Sequence, residues 1–316
     1  MKLVIMIPCL NEETTLPIVF ETMPTAIPGI DTIQILVIDD GSTDKTVEVA
    51  KQLGVKEFIH HSRNHGLSRS FRQGLNRSLE LGADIIVLTE GDNQYPQERI
   101  PDLIQPILDG TADVVIGDRQ TQTVEDFSPT KKFFQKLGTK VLNMAANTNV
   151  PDAISGFRAY SRDAAFQLNP VADYSWATET TIQASYKRHA IVNIPIVTNP
   201  KLRESRQFKS SWQHIRRSSI TIVRAFVMYR PYALFFTLGF ILLIAGLIPF
   251  AHFIDLIIST KTAYGPHHLQ SLLTGSVLLV ASFIAFTLGV IADLIRINRL
   301  ILEDTLELVK RERFKK

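Results

Sequence analysis

Two uncharged apolar stretches, Ala233 to Ala251 and Leu269 to Ala292, constrain this chain more than any other feature. Each supplies the roughly 20 residues that an α-helix needs to cross a hydrocarbon core of about 30 Å, where every backbone polar group must be bonded within its own segment. The first extends to Ile258 if His252 and Asp255 lie near the far surface. We therefore expect two membrane spans, at about 232–257 and 269–293. The connection Ser259 to His268 carries one lysine, whereas both flanks are rich in Lys and Arg, ending in Lys310, Arg311, Arg313, Lys315 and Lys316. By the positive-inside rule both termini are expected on the cytosolic side and the short loop outside.

Most of the apolar excess lies beyond Pro231, so the preceding part of the 316 residues reads as a soluble domain. Its only cysteine, Cys9, excludes an intrachain disulfide framework and fits a reducing compartment. The N-terminal apolar run before Pro8, Glu12 and Glu13 is too short and too acidic for a signal peptide, so folding is expected to begin in the cytosol.

Within 1–200 the pattern alternates. Apolar strands are predicted at Leu3 to Ile7, Ile33 to Ile38, near Phe58 and Ile59, at Ile85 to Leu88 and at Asp113 to Ile116; helices are predicted to about Met23, through Val47 to Leu53, from Leu67 to about Leu81 and from Gln97 to Leu108. Strand and helix in this rhythm predict an α/β fold with a mostly parallel sheet and helices on both faces. Three of the strands deliver polar residues at their carboxyl ends: Pro8 to Glu12, Asp39 with Asp40, and Glu90 to Gln94. One Asp-Asp-Gly is commonly no more than a turn. Parallel strands, however, bring all three ends to one edge, where open α/β sheets bind ligands. The hard oxygens of Glu90, Asp92 and Gln94 suit Mg²⁺ or Mn²⁺ carrying substrate phosphates.

Five segments, Pro8 to Glu12, Val37 to Asp44 (Val-Ile-Asp-Asp-Gly-Ser-Thr-Asp), Arg63 to Gly74, Thr89 to Pro96 and Ser155 to Ala159 (Ser-Gly-Phe-Arg-Ala), together resemble family 2 glycosyltransferases of the GT-A fold, and among them the polyprenyl-phosphate glycosyltransferases. The resemblance runs from Lys2 to about residue 210, with one departure: Glu90-Gly91-Asp92 stands where the family usually has Asp-X-Asp. It implies that Pro8, Leu10 and Glu12 form part of a nucleotide floor and that Asp39 and Asp40 lie near the base or ribose. It further implies that Asp92 holds the metal with Glu90 and Gln94, Glu90 and Asp92 thereby lying at the nucleotide sugar. Arg119 is expected at the diphosphate or the acceptor phosphate, where a guanidinium offers bidentate geometry, or else it is an exposed loop arginine. Asp152 is the family-matched carboxylate, as base or as orienter, because a phosphate monoester is already largely dianionic at pH 7. Ser155 and Arg158, read on the same turn, are candidates for the acceptor phosphate, with a structural surface role the alternative for Arg158.

Beyond Pro200 a basic run follows, Lys201, Arg203, Arg206, Lys209, Arg216, Arg217, Arg224 and Arg230 against Glu204 alone. Nucleic acid is one reading of such a run. Apolar residues Trp212, Ile215, Ile222, Phe226 and Tyr229 at roughly helical spacing instead predict a helix lying in a membrane interface, so no nucleic-acid partner is expected. Arg203, Arg206 and Lys209 are then expected to hold a lipid-linked phosphate at headgroup level, with Arg203 counted among the catalytic residues. The expected organisation is a catalytic domain over 1–209, an interfacial helix over 210–230, two spans within 231–294 and a basic cytosolic tail over 295–316. The expected reaction is inverting transfer of a hexose, glucose from UDP-glucose, to a polyprenyl phosphate at the cytosolic face of the membrane. GDP-mannose or a UDP-amino sugar is the alternative donor. A non-catalytic scaffold that binds nucleotide sugar is the rival from another class, and a processive synthase is disfavoured because Arg217 stands where its Gln-X-X-Arg-Trp motif needs Trp. Two spans per subunit leave lipid-facing surface for self-association.

Overall fold

A computed structural model describes residues 1–120, 139–140, 143–144, 148–171, 176–200, 227–228, 230–260 and 266–315. The chain divides into two compact units, one of Met1–Ile222 with Glu303–Lys316 and one of Val223–Leu302.

The first unit is built on β1 (Lys2–Cys9), α1 (Leu16–Glu21), β2 (Thr32–Asp39), α2 (Thr46–Gln52), β3 (Glu57–His60), α3 (Leu67–Glu80) and β4 (Ile85–Leu88). A 3₁₀ turn (Gln97–Arg99) leads into α4 (Ile100–Leu108), then come β5 (Val114–Asp118), β6 (Arg158–Ser161), α5 (Arg162–Gln167), α6 (Trp176–Tyr186) and β7 (Ile191–Pro195). The seven strands lie in the order β3-β2-β1-β4-β6-β5-β7. All neighbours run parallel except β6, which is antiparallel to both β4 and β5.

Continuous burial of β1 and β4 follows from helices on both sides. Leu3, Ile5, Ile7, Val37, Ile85 and Val87 face a core shared with Leu16 and Val19 of α1 and with Ile100, Leu103 and Ile104 of α4. On the other side α3 lies so close that a Cβ on Gly74 would stand 2.8 Å from Cδ1 of Ile38 and 3.1 Å from Sδ of Met6. β1 runs two residues beyond the predicted Ile7, through Pro8. The carbonyl of Met6 accepts from Thr89 on the β4 side, so residue 8, two along, turns its nitrogen to the same side, past the last β1–β4 pair, Met6 with Leu88. The missing N–H of proline therefore costs no ladder bond.

The second unit contains α7 (Pro231–Thr260) and most of α8 (Pro266–Arg313). Both are long and apolar enough to cross a membrane, with mean hydropathy of 2.5 and 2.4 in their most apolar windows. A core helix of a soluble protein would bury such side chains, yet Phe240, Ile248, Val277 and Phe283 are exposed. Where the two helices meet, glycines admit the partner's side chains: Gly239 faces Phe286, Gly246 faces Leu279 and Gly275 faces Phe250. Ser282 Oγ donates to the carbonyl of Gly239 at 2.8 Å. Small residues and buried hydroxyls at the crossing are how helices associate without a hydrophobic drive between them.

The expectation of a basic tail over 295–316 is corrected. α8 is 48 residues long and continues through Arg313, and its last turns from Glu303 onward belong to the first unit. There Lys187 pairs with Asp304 at 3.0 Å, Lys310 Nζ donates to the carbonyl of Leu168 at 3.0 Å, and Arg162 donates to the carbonyl of Phe314. Arg162 and Arg311 lie over the Phe166 ring at 5.1 and 4.9 Å. Phe314 itself is buried. Cations of this basic stretch, Lys310 and Arg311, thus serve as packing and hydrogen-bonding groups. Deleting residues 303–316 is expected to lower the melting temperature of the protein by about 5 °C or more, since a loss of 1 kcal/mol moves a domain of this size by roughly 2–4 °C. A thermal melt of the deletion beside the full chain checks it.

Candidate active site

The carboxyl ends of β1, β2 and β4 are cross-linked into one floor. Asn11, held at a positive φ of 55°, accepts at Oδ1 from the Thr43 N–H (2.7 Å), and its own N–H donates to Ser42 Oγ (2.9 Å). Glu12 is 5% exposed; its N–H donates to Thr46 Oγ1 and its carboxylate accepts from Thr15 Oγ1, both at 2.7 Å. Thr15 Oγ1 also lies 2.8 Å from the carbonyl of Gly91, which ties the β1 loop to the β4 loop. Gly41 allows the turn after β2: its φ is +81°, and a Cβ would stand 2.7 Å from Cα of Arg63. Pro8 is buried in its strand, and Leu10 is half-buried at the rim.

Asp39 and Asp40 are both present at this edge, but as buried carboxylates with their oxygens engaged. Asp39 accepts from the Ser42 N–H at 2.9 Å and meets Nδ1 of His60 at 2.6 Å. Asp40 accepts the N–H groups of His65 and Gly66, each at 2.8 Å, and meets Nδ1 of His61 at 2.7 Å. His61 in turn contacts Gln73. Asp40 therefore organises the loop into α3.

After β4 the chain is fixed by its own side chains. Thr89 Oγ1 donates to Gln97 Oε1 at 2.9 Å, and Asn93, with φ of 59°, is clamped by Asn199 Nδ2 on its carbonyl at 3.1 Å. This leaves Asp92 and Gln94 half-exposed, with Asp92 Oδ1 accepting from the Gln94 N–H at 3.1 Å. Glu90 is also half-exposed, and its Oε1 lies against Gly156, so the longer side chain fits because residue 156 has no Cβ. Tyr95, buried and stacked on Phe157 at 5.4 Å, accepts from the Gly156 N–H at 2.8 Å.

The antiparallel β6 makes this meeting, since Leu88 pairs with Arg158. Its approach segment carries Asp152 to the end of β5, where Arg119 forks onto it: Nε to Oδ2 at 2.7 Å and Nη2 to Oδ1 at 3.0 Å. Asp152 is 1% and Arg119 15% exposed, so the pair is largely desolvated. Arg119 is no free loop arginine.

Two acceptor-site expectations change. Arg158 opens β6 rather than sitting on the Ser155 turn, and it is fully buried. Its guanidinium donates to the carbonyls of Ser155 (2.8 Å), Ala153 (2.7 Å) and Ala177 (2.9 Å) and to Thr181 Oγ1 (2.9 Å), so it holds the fold together and has no face for a substrate phosphate. Arg158→Met is expected to cost about 3–5 kcal/mol, because three buried carbonyls lose their donor; chemical denaturation measures it. Ser155 is also buried, its hydroxyl accepting from the Phe157 N–H at 3.3 Å. Arg203, Arg206 and Lys209, with the predicted interfacial helix over 210–230, lie outside the described residues.

The electrostatics favour a cation. Burial pushes the Cys9 thiol well up, and the charges of Glu12, Asp39, Asp92 and Asp44 push it the same way, so those carboxylates share one negative field. Among the described residues no three His, Cys, Asp or Glu side chains form a ready metal cage. A hard divalent ion is ordinarily held by one or two carboxylates and completed by substrate phosphate oxygens and water. Asp92, Glu90 and Gln94 supply suitable oxygens.

The sequence profile described as glycosyl transferase family 2 matches residues 4–167. The chain belongs to that family. This family 2 chain is 30% identical over 222 residues to a dolichol-phosphate mannosyltransferase of Pyrococcus furiosus, covering 66% of itself and 60% of that relative. It is 27% identical to an undecaprenyl-phosphate mannosyltransferase of Micrococcus luteus, covering 62% of itself and 83% of the relative. Its fold matches glucosyl-3-phosphoglycerate synthase of Mycobacterium tuberculosis, solved with Mn²⁺, UDP and glucosyl-3-phosphoglycerate, with a TM-score of 0.53 at 21% identity over 71% of this chain and 78% of that one. The mostly parallel α/β sheet of the family 2 chain is thus of the GT-A type.

Thr15, Tyr95, Asn93, Asn199 and Gly156 were not read from sequence as site residues. Asn at two positive-φ positions is the one local signal that was available.

Proposed function

We propose that this chain transfers a hexose from a nucleotide diphosphate sugar to the phosphate of a polyprenyl lipid, with inversion, at the cytosolic face of a membrane. The observation that carries the reading is the convergence, in a family 2 chain with two exposed apolar helices, of Glu90 with the Arg119–Asp152 pair around Tyr95, whose hydroxyl meets the Gly156 N–H. Relatives named for dolichol and undecaprenyl phosphate support the acceptor class. Basic flanks at both ends of the helix pair support the cytosolic orientation.

An oxygen of the acceptor phosphate attacks the anomeric carbon while the bond to the nucleoside diphosphate breaks, its electron pair leaving with the diphosphate. Asp92, Glu90 and Gln94 would hold a divalent cation, which when bound would supply Lewis-acid neutralisation of that leaving charge. The floor formed by Pro8, Leu10 and Glu12 receives the nucleotide. Arg119 is the fixed cation for the acceptor phosphate, and Asp152 holds its fork in place, acting as a positioning residue and not as a base. Lys209, Arg203 and Arg206 meet the lipid phosphate at headgroup level. The donor we favour is UDP-glucose; the mannosyltransferase names of the two relatives favour GDP-mannose as the second reading.

Full-length protein in detergent, incubated with radiolabelled UDP-glucose, GDP-mannose or UDP-N-acetylglucosamine, undecaprenyl phosphate and Mg²⁺ or Mn²⁺, tests this. A metal-dependent, chloroform-extractable glycolipid is expected. No lipid product from any donor overturns the reading.

A further inference from the structure

The loop after β4 is held from a part of the chain that no sequence motif marks. β7 ends at Pro195, and the four residues that follow it join two ends of the site. The Ile196 N–H donates to the carbonyl of Asp118 at 2.8 Å, beside Arg119, and three residues on the Asn199 N–H donates to the carbonyl of Gln94 at 3.0 Å. Asn199 Nδ2 lies 3.1 Å from the carbonyl of Asn93, 3.4 Å from Asn93 Oδ1 and 3.3 Å from the carbonyl of Tyr95. Backbone carbonyls only accept, so the NH₂ side of this amide faces the loop. One residue thus meets the carbonyls of 93, 94 and 95 in succession.

Those peptide groups carry Asp92 and Gln94, whose own link, from the Gln94 N–H to Asp92 Oδ1 at 3.1 Å, spans Asn93. Asn93 is buried and held at a φ of 59°. A left-handed conformation is unfavourable for any residue with a side chain, though asparagine tolerates it, and a buried carbonyl needs a donor. Asn199 supplies that donor. A neutral amide also suits the place better than lysine, because it donates without setting a fixed cation beside the carboxylate that would take a metal ion. Since the same four residues begin at Asp118, they tie the loop to the Arg119 end of β5.

We propose that Asn199 is a positioning residue for the divalent cation: it holds Asn93 in its left-handed turn and so keeps Asp92 and Gln94 together as ligands. It acts through the loop and not by touching the cation or the sugar. This rests on the nucleotide-sugar reading above.

Binding of Mn²⁺ to the detergent-solubilised full chain in the presence of UDP, followed by loss of the free-ion paramagnetic resonance signal, tests it. Asn199→Ala is expected to weaken Mn²⁺ binding about tenfold, the size of one well-placed hydrogen bond. Asn199→Leu, similar in size but without a donor, should lose as much, and Asn199→Gln, which keeps the amide, should recover part of the loss. The melting temperature of each variant should stay within about 5 °C of wild type, since Asn199 is half-buried and leaves no cavity. Wild-type Mn²⁺ affinity in Asn199→Ala or Asn199→Leu, binding by Asn199→Gln no better than by Asn199→Leu, or a larger fall in melting temperature overturns the assignment while the donor reading stands. Failure of wild type to bind Mn²⁺ with UDP overturns both.

Discussion

Asp92→Asn is expected to lower glycolipid formation by about 10³-fold while leaving the protein folded, because a carboxylate beside a leaving diphosphate acts by holding the neutralising cation. Asp92 is half-exposed, and the bond it accepts from the Gln94 N–H survives in the amide. The melting temperature should therefore move by less than about 2 °C, since surface changes of this kind stay within roughly 0.5 kcal/mol. Glu90→Asp gives the complementary result. Shortening the side chain withdraws its oxygen from Gly156, so the rate should change by about tenfold or less in either direction, with a shift in Mg²⁺ against Mn²⁺ preference as the informative readout. A wild-type rate in Asp92→Asn at saturating metal would show that the hard-oxygen site lies elsewhere.

The second large effect is expected at Arg119 and Asp152. Arg119→Lys removes the fork, since an ammonium cannot place two parallel N–H groups on one carboxylate or phosphate. Asp152→Asn keeps one acceptor oxygen but lets the guanidinium turn. Each change is expected to cost about 10²- to 10³-fold in kcat, and the double variant should be scarcely worse than either single, because residues that act as one unit are not additive. A purely structural pair would behave differently: stability would fall by about 3–5 kcal/mol and the KM for polyprenyl phosphate would stay unchanged in the surviving folded fraction. Steady-state kinetics with the acceptor varied, alongside a melt, separates the two.

Much of the fold was legible because its signals are local. Ile35 to Ile38 and Ile85 to Leu88 are unbroken apolar runs of the kind that strands buried on both faces display, and their carboxyl ends carry the acidic residues in plain order. The helix over Leu67–Glu80 is equally legible in its spacing. β6 was not. Arg-Ala-Tyr-Ser is four residues long and opens with a charge, and it becomes a strand only because β4 and β5 offer free edges on either side of it. For the same reason Arg158 was misread. A guanidinium whose acceptors are carbonyls at 153, 155 and 177 looks in sequence like any surface arginine. The stretch after Asp293 was read from composition as a basic tail, yet Lys310 donates to the carbonyl of Leu168, Arg311 lies over the Phe166 ring and Asp304 takes Lys187.

By itself, then, the sequence determined that this protein has two helices long and apolar enough to cross a membrane and a sheet whose parallel strands end in acidic and amide side chains. Apolar run length and strand direction suffice for both, and neither depends on distant partners. Only the tertiary structure decided what stands opposite those side chains. The antiparallel insertion of β6 between β4 and β5 sets Gly156 against Glu90 and delivers Asp152 to Arg119, some 33 positions earlier in the chain. Such a pairing is a matter of non-local hydrogen bonding and desolvation, and no window of sequence contains it.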